Sequence, residues 1–162
     1  LEFLEGAFLI RRLAPFHANL GKRLTKSPKV YWRDSGLLHA LLGVSDAGAL
    51  LHQPWVGASW EGFVIEALIN EAARTAPKGQ PCFLRTSDGM EIDLLMDFGQ
   101  ERWAFEVKLT TAPSTADWER LNRAADLVGA KRRFLVSRAA TSAGDGERGT
   151  GGLEWALGRL RS

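Results

Sequence analysis

A pair of adjacent strand-like segments constrains the fold of this chain more than any other feature of its sequence. Residues 91–96 (EIDLLM) and 103–109 (WAFEVKL) are short, mostly apolar and free of proline, which is typical of β-strands. Only residues 97–102 separate them, and Gly99 suits the first central place of a two-residue type II′ turn. The sequence therefore predicts an antiparallel β-hairpin that turns at Gly99.

The register of this hairpin decides which polar side chains share a face. A turn at Gly99 places Asp93 opposite Glu106, and Glu91 opposite Lys108. Because side chains alternate between faces along a strand, all four lie on one side of the sheet. Opposed carboxylates with Cβ atoms roughly 5 Å apart repel each other unless a cation neutralises them. Mg²⁺ or Mn²⁺ would do so, and Lys108 would then orient the attacking water or balance charge on a phosphate.

A solvated strand face of mixed charge is the alternative interpretation of the same pattern. In that case Glu91 and Lys108 form an ordinary cross-strand ion pair, and Asp93 and Glu106 are merely exposed. A Glu-x-Lys motif taken alone favours this second interpretation.

A third acidic position lies on a predicted helix over residues 59–74. Its apolar side chains recur at helical spacing, and Glu61 falls near the middle of the apolar arc, whereas Glu66 falls on the polar side. A carboxylate on a core-facing surface is costly unless it is paired or binds a metal. A glutamate in the first turn also favours the helix dipole, so Glu61 is either a site residue or a helix-start residue.

Composition limits the class of protein. With 162 residues, 45 % of them hydrophobic, the chain can bury one ordinary core, and we expect a soluble cytoplasmic domain with a small appendage. No apolar run has the length of a membrane span, so no membrane partner is expected. Cys82 is the only cysteine and the three histidines are far apart, which excludes an intrachain disulfide and a Cys/His zinc site. The missing initiator methionine suggests a fragment of a longer protein.

Positive charge is concentrated near the N-terminus. Up to Arg33 there are seven basic residues and two acidic ones, whereas the remainder of the chain is net acidic. Such a segment is compatible with an arm that contacts nucleic-acid phosphates, although basic runs are more often solvated surface.

The chain divides into an N-terminal part, residues 1–53, and a body, residues 54–162. In the first part, two strands flank a basic, glycine-containing connection, and a helix follows. In the body, a capping pattern at Ser114 and a glycine at position 129 delimit a second helix. The predicted order of the body is helix, three-strand meander, helix, strand, which indicates a mixed α/β sheet flanked by helices. The predicted segments are strands at 7–13 and 29–33, a helix at 35–42, strands near 82–86 and at 133–137, a mobile loop at 139–152 and a final strand at 153–157.

This order, together with the acidic motifs, resembles the PD-(D/E)xK, or restriction-endonuclease-like, superfamily. The resemblance implies that Asp93 and Glu106 are catalytic metal ligands, that Lys108 positions the water, and that Glu61 is an accessory carboxylate that also assists the metal, Mg²⁺ or Mn²⁺. The chain departs from the superfamily pattern in having Glu-Ile-Asp in place of Pro-Asp at residues 91–93, which leaves activity open.

Four motifs carry a closer resemblance that covers nearly the whole chain. They are KVYWRDSGLL at 29–38, GASWEGFV at 57–64, RTSDGMEID at 85–93 and FEVK at 105–108. They resemble the uncharacterised C-terminal domain that follows the AAA-type P-loop ATPase module in many prokaryotic ATP-binding proteins. The resemblance implies that an ATPase module precedes this chain and that the N-terminal part is the tail of a winged-helix-like region, including its wing hairpin.

The chain itself lacks the phosphate-binding motif of such ATPases. No Gly-x-x-x-x-Gly-Lys-[Ser/Thr] occurs, so neither ATP binding nor ATPase activity is expected from this chain alone. Two functions remain as expectations. One is a metal-dependent phosphodiesterase that cleaves DNA or RNA. The other is a catalytically inactive nuclease-like module with which the ATPase recognises nucleic acid or a protein partner.

Overall fold

A computed structural model describes residues 1–17, 24, 27–75 and 79–161 of the protein. These residues form helices and strands in a mixed order. The helices are α1 Glu2–Gly6, α2 Ser35–Leu41, α3 Ala47–Leu51, α4 Val56–Thr75, α5 Thr115–Val128 and α6 Leu153–Arg161, and the strands are β1 Ile10–Leu13, β2 Lys29–Trp32, β3 Gln80–Arg85, β4 Glu91–Asp97, β5 Arg102–Val107, β6 Arg132–Val136, β7 Ala143–Gly144 and β8 Arg148–Gly151.

The main sheet has six strands in the order β3-β4-β5-β6-β8-β7. Strands β3, β4 and β5 form an antiparallel meander, whereas β6 runs parallel to both β5 and β8. A parallel neighbour needs a crossover connection, and helix α5 supplies it between β5 and β6. The predicted class, a mixed α/β sheet flanked by helices, is therefore confirmed, as is the predicted order of helix, meander, helix and strand.

Two apolar layers cover the faces of this sheet. Helices α4 and α6 pack on one face, where Ile65 and Leu68 of α4 are fully buried beside Phe105 and Phe134. Helix α5 packs on the other face through Leu121 and its alanines. Because both faces are covered, β4 and β5 are buried over most of their length, and polar side chains in them need partners.

The N-terminal strands form a separate two-stranded antiparallel sheet that packs against α4. Its register pairs Ile10 with Trp32 and Leu13 with Lys29, in agreement with the predicted strands. The buried carboxylate of Glu66 on α4 holds this sheet, because it accepts hydrogen bonds from Arg11 at 3.0 Å and from Arg33 at 2.8 Å. Most of the predicted basic connection, residues 18–23, 25 and 26, lies outside the described residues.

The C-terminal prediction is wrong. Residues 153–157 open helix α6, not a strand, because Leu153, Ala156, Leu157 and Leu160 have helical spacing and pack against the core formed with α4. The preceding segment is also not a plain loop, since it contains β7 and β8. A Cβ added at Gly149 would lie 2.6 Å from the Trp155 ring, so this glycine serves close packing under α6.

Candidate functional site

The hairpin that carries the predicted site has the predicted register. Leu94 pairs with Phe105 and Asp97 pairs with Arg102. Gly99 has a φ of 85°, and the Phe98 N–H donates to the Glu101 carbonyl at 3.0 Å, as expected when glycine occupies the first central place of the turn. The pairing of the two strands ends at Leu94 and Phe105, one residue before the predicted pair of Asp93 and Glu106.

Asp93 and Glu106 are both buried, with only 5 % and 7 % of their surfaces exposed. One oxygen of Asp93, Oδ2, accepts the Val107 N–H at 3.0 Å. Glu106 Oε1 lies 2.6 Å from Lys108 Nζ, whereas its buried Oε2 has no hydrogen-bond partner among the described residues. A buried carboxylate oxygen without a donor is unfavourable, so this atom is the part of the site that lacks a ligand.

The two carboxylates perturb each other. Burial, and then the charge of Asp93, raise the pKa of Glu106 to about 7, although Lys108 opposes the shift. Burial and the charge of Glu61 raise the pKa of Asp93, although Lys29 opposes it. Burial lowers the pKa of Lys108, but its hydrogen bond to Glu106 and the negative charges of Glu106 and Asp93 together outweigh burial and leave that pKa raised. Lys108 is therefore a stable cation beside an acid that is easily protonated.

The cross-strand ion pair of the alternative interpretation is not formed. Glu91 Oε1 lies 2.7 Å from Lys29 Nζ and 2.6 Å from Arg85 Nη2, and Lys108 pairs with Glu106 instead. Asp93 and Glu106 are thus buried rather than merely exposed. The interpretation of this face as an ordinary solvated surface is wrong.

Lys29 is a residue of this site that the sequence did not reveal. Its Nζ lies 2.9 Å from Glu61 Oε1 and 3.2 Å from Asp93 Oδ1, in addition to its contact with Glu91, and 5.5 Å from the centre of the Phe83 ring. Burial lowers the pKa of Lys29, but Asp93 and Glu61 raise it by more, so the side chain remains an ammonium ion. A usable signal was its spacing from Tyr31, since both lie on one face of β2.

Glu61 reaches this cluster from the second turn of α4; no acidic residue lies in the first turn, so the interpretation of Glu61 as a helix-start residue is wrong. Its Oε1 accepts hydrogen bonds from both Lys29 and Tyr31 Oη. A Cβ added at the neighbouring Gly62 would lie 3.0 Å from the Tyr31 ring, so the glycine allows α4 to approach β2 closely. Burial and the charge of Glu61 raise the pKa of Tyr31, which keeps its hydroxyl a donor. Glu61 and Asp93 are therefore linked by the ammonium group of Lys29, which contacts both carboxylates.

The residues present fit a divalent cation held by two carboxylates. Within the part of the chain that the structure describes, no group of three or more His, Cys, Asp or Glu side chains has metal-binding geometry. Mg²⁺ needs few protein ligands because it retains several waters, and carboxylate oxygens are the ligands it prefers. Of these carboxylates only Glu106 has an oxygen, Oε2, without a donor among the described residues, whereas both oxygens of Asp93 and Oε1 of Glu61 have donors.

A polar cavity of about 500 Å³ opens beside Glu106. Lys108 lies in its wall together with Arg120 and Arg123 of α5. Arg120 pairs with Asp117 at 2.5 Å, whereas the exposed Arg123 forms no ion pair with any described residue. The cations Lys108, Arg120 and Arg123 and the buried carboxylate of Glu106 give this cavity charges of the kind that a phosphodiester and a metal ion require. The remaining lining residues are Asp88, Gly89, Met90 and Glu91.

Fold and site together define a mixed α/β domain with two buried carboxylates, Asp93 and Glu106, of which Glu106 lines a polar cavity. The chain belongs to the family described as Domain of unknown function (DUF4143), which matches residues 56–150. A second family, Domain of unknown function (DUF8612), matches residues 1–48.

Two mycobacterial proteins are similar to this chain. They are "Uncharacterized protein Mb2031c" of Mycobacterium bovis and "Uncharacterized protein Rv2008c" of Mycobacterium tuberculosis, each 47 % identical over 115 residues. The aligned region covers 70 % of this chain and 25 % of each relative, so the chain spans about a quarter of the length of these proteins. No solved structure matches the chain. Among the described residues, no helix has the length and apolarity needed to cross a membrane.

Proposed function

We propose that this domain is a divalent-metal-dependent phosphodiesterase that acts on nucleic acid, with the PD-(D/E)xK residues Asp93, Glu106 and Lys108 at its centre. One observation carries the proposal: Glu106 Oε2 is buried beside Asp93 and lacks a partner among the described residues. Structural carboxylates in a core are normally satisfied by donors. An unsatisfied oxygen next to a second carboxylate is what a metal site leaves when only protein atoms are considered.

Each residue of the site has a task that its position supports. Asp93 and Glu106 would hold Mg²⁺ or Mn²⁺, which when bound supplies Lewis acidity and lowers the pKa of a coordinated water. Lys108 lies in the wall of the cavity, 2.6 Å from Glu106, where its ammonium group can position the attacking water or neutralise charge on the phosphate. Arg120 and Arg123 supply further cations for the nucleic-acid backbone.

We also propose that the domain works within a longer ATP-dependent protein. The motifs at 29–38, 57–64 and 85–93 support this, because they resemble the domain that follows AAA-type ATPase modules. The two relatives are also about four times as long as the region they share with this chain. In such a protein the ATPase module would move or load nucleic acid, and this domain would cut it.

Calorimetric titration of Mn²⁺ and Mg²⁺ tests the metal site, and labelled single- and double-stranded DNA and RNA test cleavage. The variants are Asp93→Ala and Glu106→Ala, and the control is Glu119→Ala, which removes an exposed glutamate of α5. We expect metal binding and metal-dependent cleavage in wild type and Glu119→Ala, and neither in the two site variants. Metal binding that survives both site substitutions would contradict the assignment of the ligands.

A catalytically inactive recognition module is the second candidate function. Lys29 favours it, because its ammonium group already contacts Glu61, Glu91 and Asp93. A carboxylate cluster neutralised in this way has less need of a metal ion. This function predicts that nucleic acid binds equally well in EDTA and that Asp93→Ala does not weaken binding. The nuclease function predicts instead that the interaction with nucleic acid depends on metal.

A further inference from the structure

The ammonium group of Lys29 lies between acidic side chains of the proposed site, where it neutralises their charge as a metal ion would. From β2 it contacts three carboxylates on two other elements: Glu61 on α4, and Glu91 and Asp93 on β4. All three Nζ–oxygen distances lie between 2.7 and 3.2 Å. Only 12 % of the Lys29 side chain is exposed, so solvent screens these contacts weakly.

We propose that Lys29 is an internal competitor of the divalent cation, so that metal binding at Asp93 and Glu106 requires the Lys29 ammonium group to leave Asp93 and Glu61. This inference rests on the proposed metal-dependent function. Two cations cannot both lie against Asp93 Oδ1 without strong repulsion in a buried site. The carboxylates therefore bind either the ammonium group or the metal ion, but not both.

The surrounding structure allows the ammonium group to leave without unfolding the N-terminal sheet. Lys29 is the first residue of β2, and its charge lies at the end of a flexible four-carbon chain. The sheet is held elsewhere, because Arg11 and Arg33 both donate hydrogen bonds to Glu66. A rotamer change of Lys29 therefore releases Glu61 and Asp93 while the strands keep their place.

The acidic side chains differ in what they lose when Lys29 leaves. Glu91 keeps a second cation, Arg85, at 2.6 Å. Among the described residues, Asp93 keeps only the hydrogen bond from the Val107 N–H, and Glu61 keeps the one from the Tyr31 hydroxyl. The negative charge that is uncovered is therefore that of Asp93 and Glu61, next to the unsatisfied Glu106 Oε2.

Calorimetric titration of Mn²⁺ into the wild-type chain, Lys29→Met and Lys131→Met tests the competition. Lys131→Met is the matched control because it removes the same charge from an exposed lysine that pairs with Glu147 at 3.7 Å. We expect Lys29→Met to bind Mn²⁺ at least about tenfold more tightly than wild type, which corresponds to carboxylates that are free of the ammonium group less than about a tenth of the time. Lys131→Met should bind as wild type does.

Thermal unfolding gives a second readout that does not depend on activity. Lys29→Met leaves buried carboxylates without a counterion, so its midpoint should be lower than that of wild type in EDTA. Mn²⁺ should raise the midpoint of Lys29→Met by more than it raises that of wild type, because the metal replaces the lost charge. A Lys29→Met chain that stays unfolded even with Mn²⁺ would overturn the inference.

The outcomes separate this inference from the function on which it rests. Equal Mn²⁺ affinity in wild type and Lys29→Met would overturn the competition and leave the metal site standing. Tighter binding in Lys29→Met that is abolished by a further Asp93→Ala substitution would support both. No Mn²⁺ binding by either protein would overturn the metal-dependent function and the competition together.

Discussion

Two buried glutamates, Glu66 on α4 and Glu106 on β5, differ in how completely their carboxylate oxygens are hydrogen-bonded. Glu66 and Glu106 expose 6 % and 7 % of their surfaces. Glu66 accepts hydrogen bonds on both oxygens from Arg11 and one from Arg33. Glu106 has a single cation, Lys108, and one oxygen with no partner among the described residues. Equal burial thus accompanies opposite degrees of satisfaction.

The pKa values follow the partners and not the burial. Burial raises the pKa of Glu66, but the hydrogen bonds from Arg11 and Arg33 outweigh it and leave that pKa lowered. Burial and Asp93 together raise the pKa of Glu106 to about 7, because Lys108 alone does not compensate. Glu66 therefore has the properties of a structural anchor of the N-terminal sheet. Glu106 has those of a residue in the proposed metal site.

The largest expected effect is the loss of the anchor. Glu66→Ala leaves Arg11 and Arg33 without their counterion, and we expect the free energy of unfolding to fall by about 3 kcal/mol, as when one partner of a buried ion pair is removed. Chemical denaturation measures this loss. Glu119→Ala, an exposed glutamate on α5, is the control and should not differ from wild type. If Glu66→Ala loses as little stability as the control, then Glu66, like Glu106, is buried without a strong ion pair.

The second effect concerns pH. Glu106 has an ordinary pKa of 4.5 and a folded-state pKa of about 7, so between these values the folded chain binds more protons than the unfolded chain. Stability should therefore fall as the pH rises from 4.5 to 7, by roughly 3 kcal/mol in the absence of metal. Glu106→Gln should remove most of this decline, as measured by denaturation at a series of pH values in EDTA.

Glu66 should respond to pH in the opposite direction. Its pKa is lowered in the folded state, so its contribution to stability is present above its unfolded pKa and is lost as the pH falls through the folded pKa. Glu66→Gln should consequently weaken the loss of stability in acid and leave the decline above pH 4.5 unchanged. The same pH dependence in both Gln variants would remove the distinction between anchor and site.

A smaller effect is expected at the turn that sets the hairpin register. Gly99 has a φ of 85°, where a side chain is strained, so Gly99→Ala should lower the free energy of unfolding by about 1 kcal/mol. Gly146→Ala is the control, because its added Cβ meets no atom within 4 Å. Equal stability of the two variants in chemical denaturation would show that the turn does not depend on glycine. The register matters because a shift by one residue would move Asp93 and Glu106 to opposite faces.

Local sequence patterns were sufficient to predict the β4–β5 hairpin and helix α5. Two apolar segments and one glycine predict the register that places Asp93 opposite Glu106. The capping pattern at Ser114 and the left-handed glycine at position 129 predict the ends of α5, and both are confirmed. Helix α6 is not predictable from residues 153–157, because this stretch is too short to separate helical from strand spacing.

The contacts of Lys29 and Glu66 were beyond such patterns. Lys29 is separated in sequence by 64 residues from Asp93 and by 32 from Glu61, and Arg11 is separated by 55 residues from Glu66. Glu66 faces away from the apolar arc of α4, which predicts a solvated side chain, but the N-terminal sheet covers that side. Packing between distant segments decides whether such a polar residue is buried, and neither helical nor strand spacing contains that information.

The smallest expected effect tests whether the cavity beside Glu106 receives a phosphate backbone. Arg123 lies in its wall and has no ion pair among the described residues, so Arg123→Ala removes one phosphate contact without disturbing a partner. Fluorescence anisotropy with labelled DNA at several salt concentrations should show weaker binding and a salt slope reduced by about 0.9, the value for one phosphate on a duplex. Arg148→Ala, an exposed arginine on β8, should leave the slope unchanged. An unchanged slope for Arg123→Ala would show that the cavity beside Glu106 does not bind a phosphate backbone, because Arg123 and Glu106 line the same cavity.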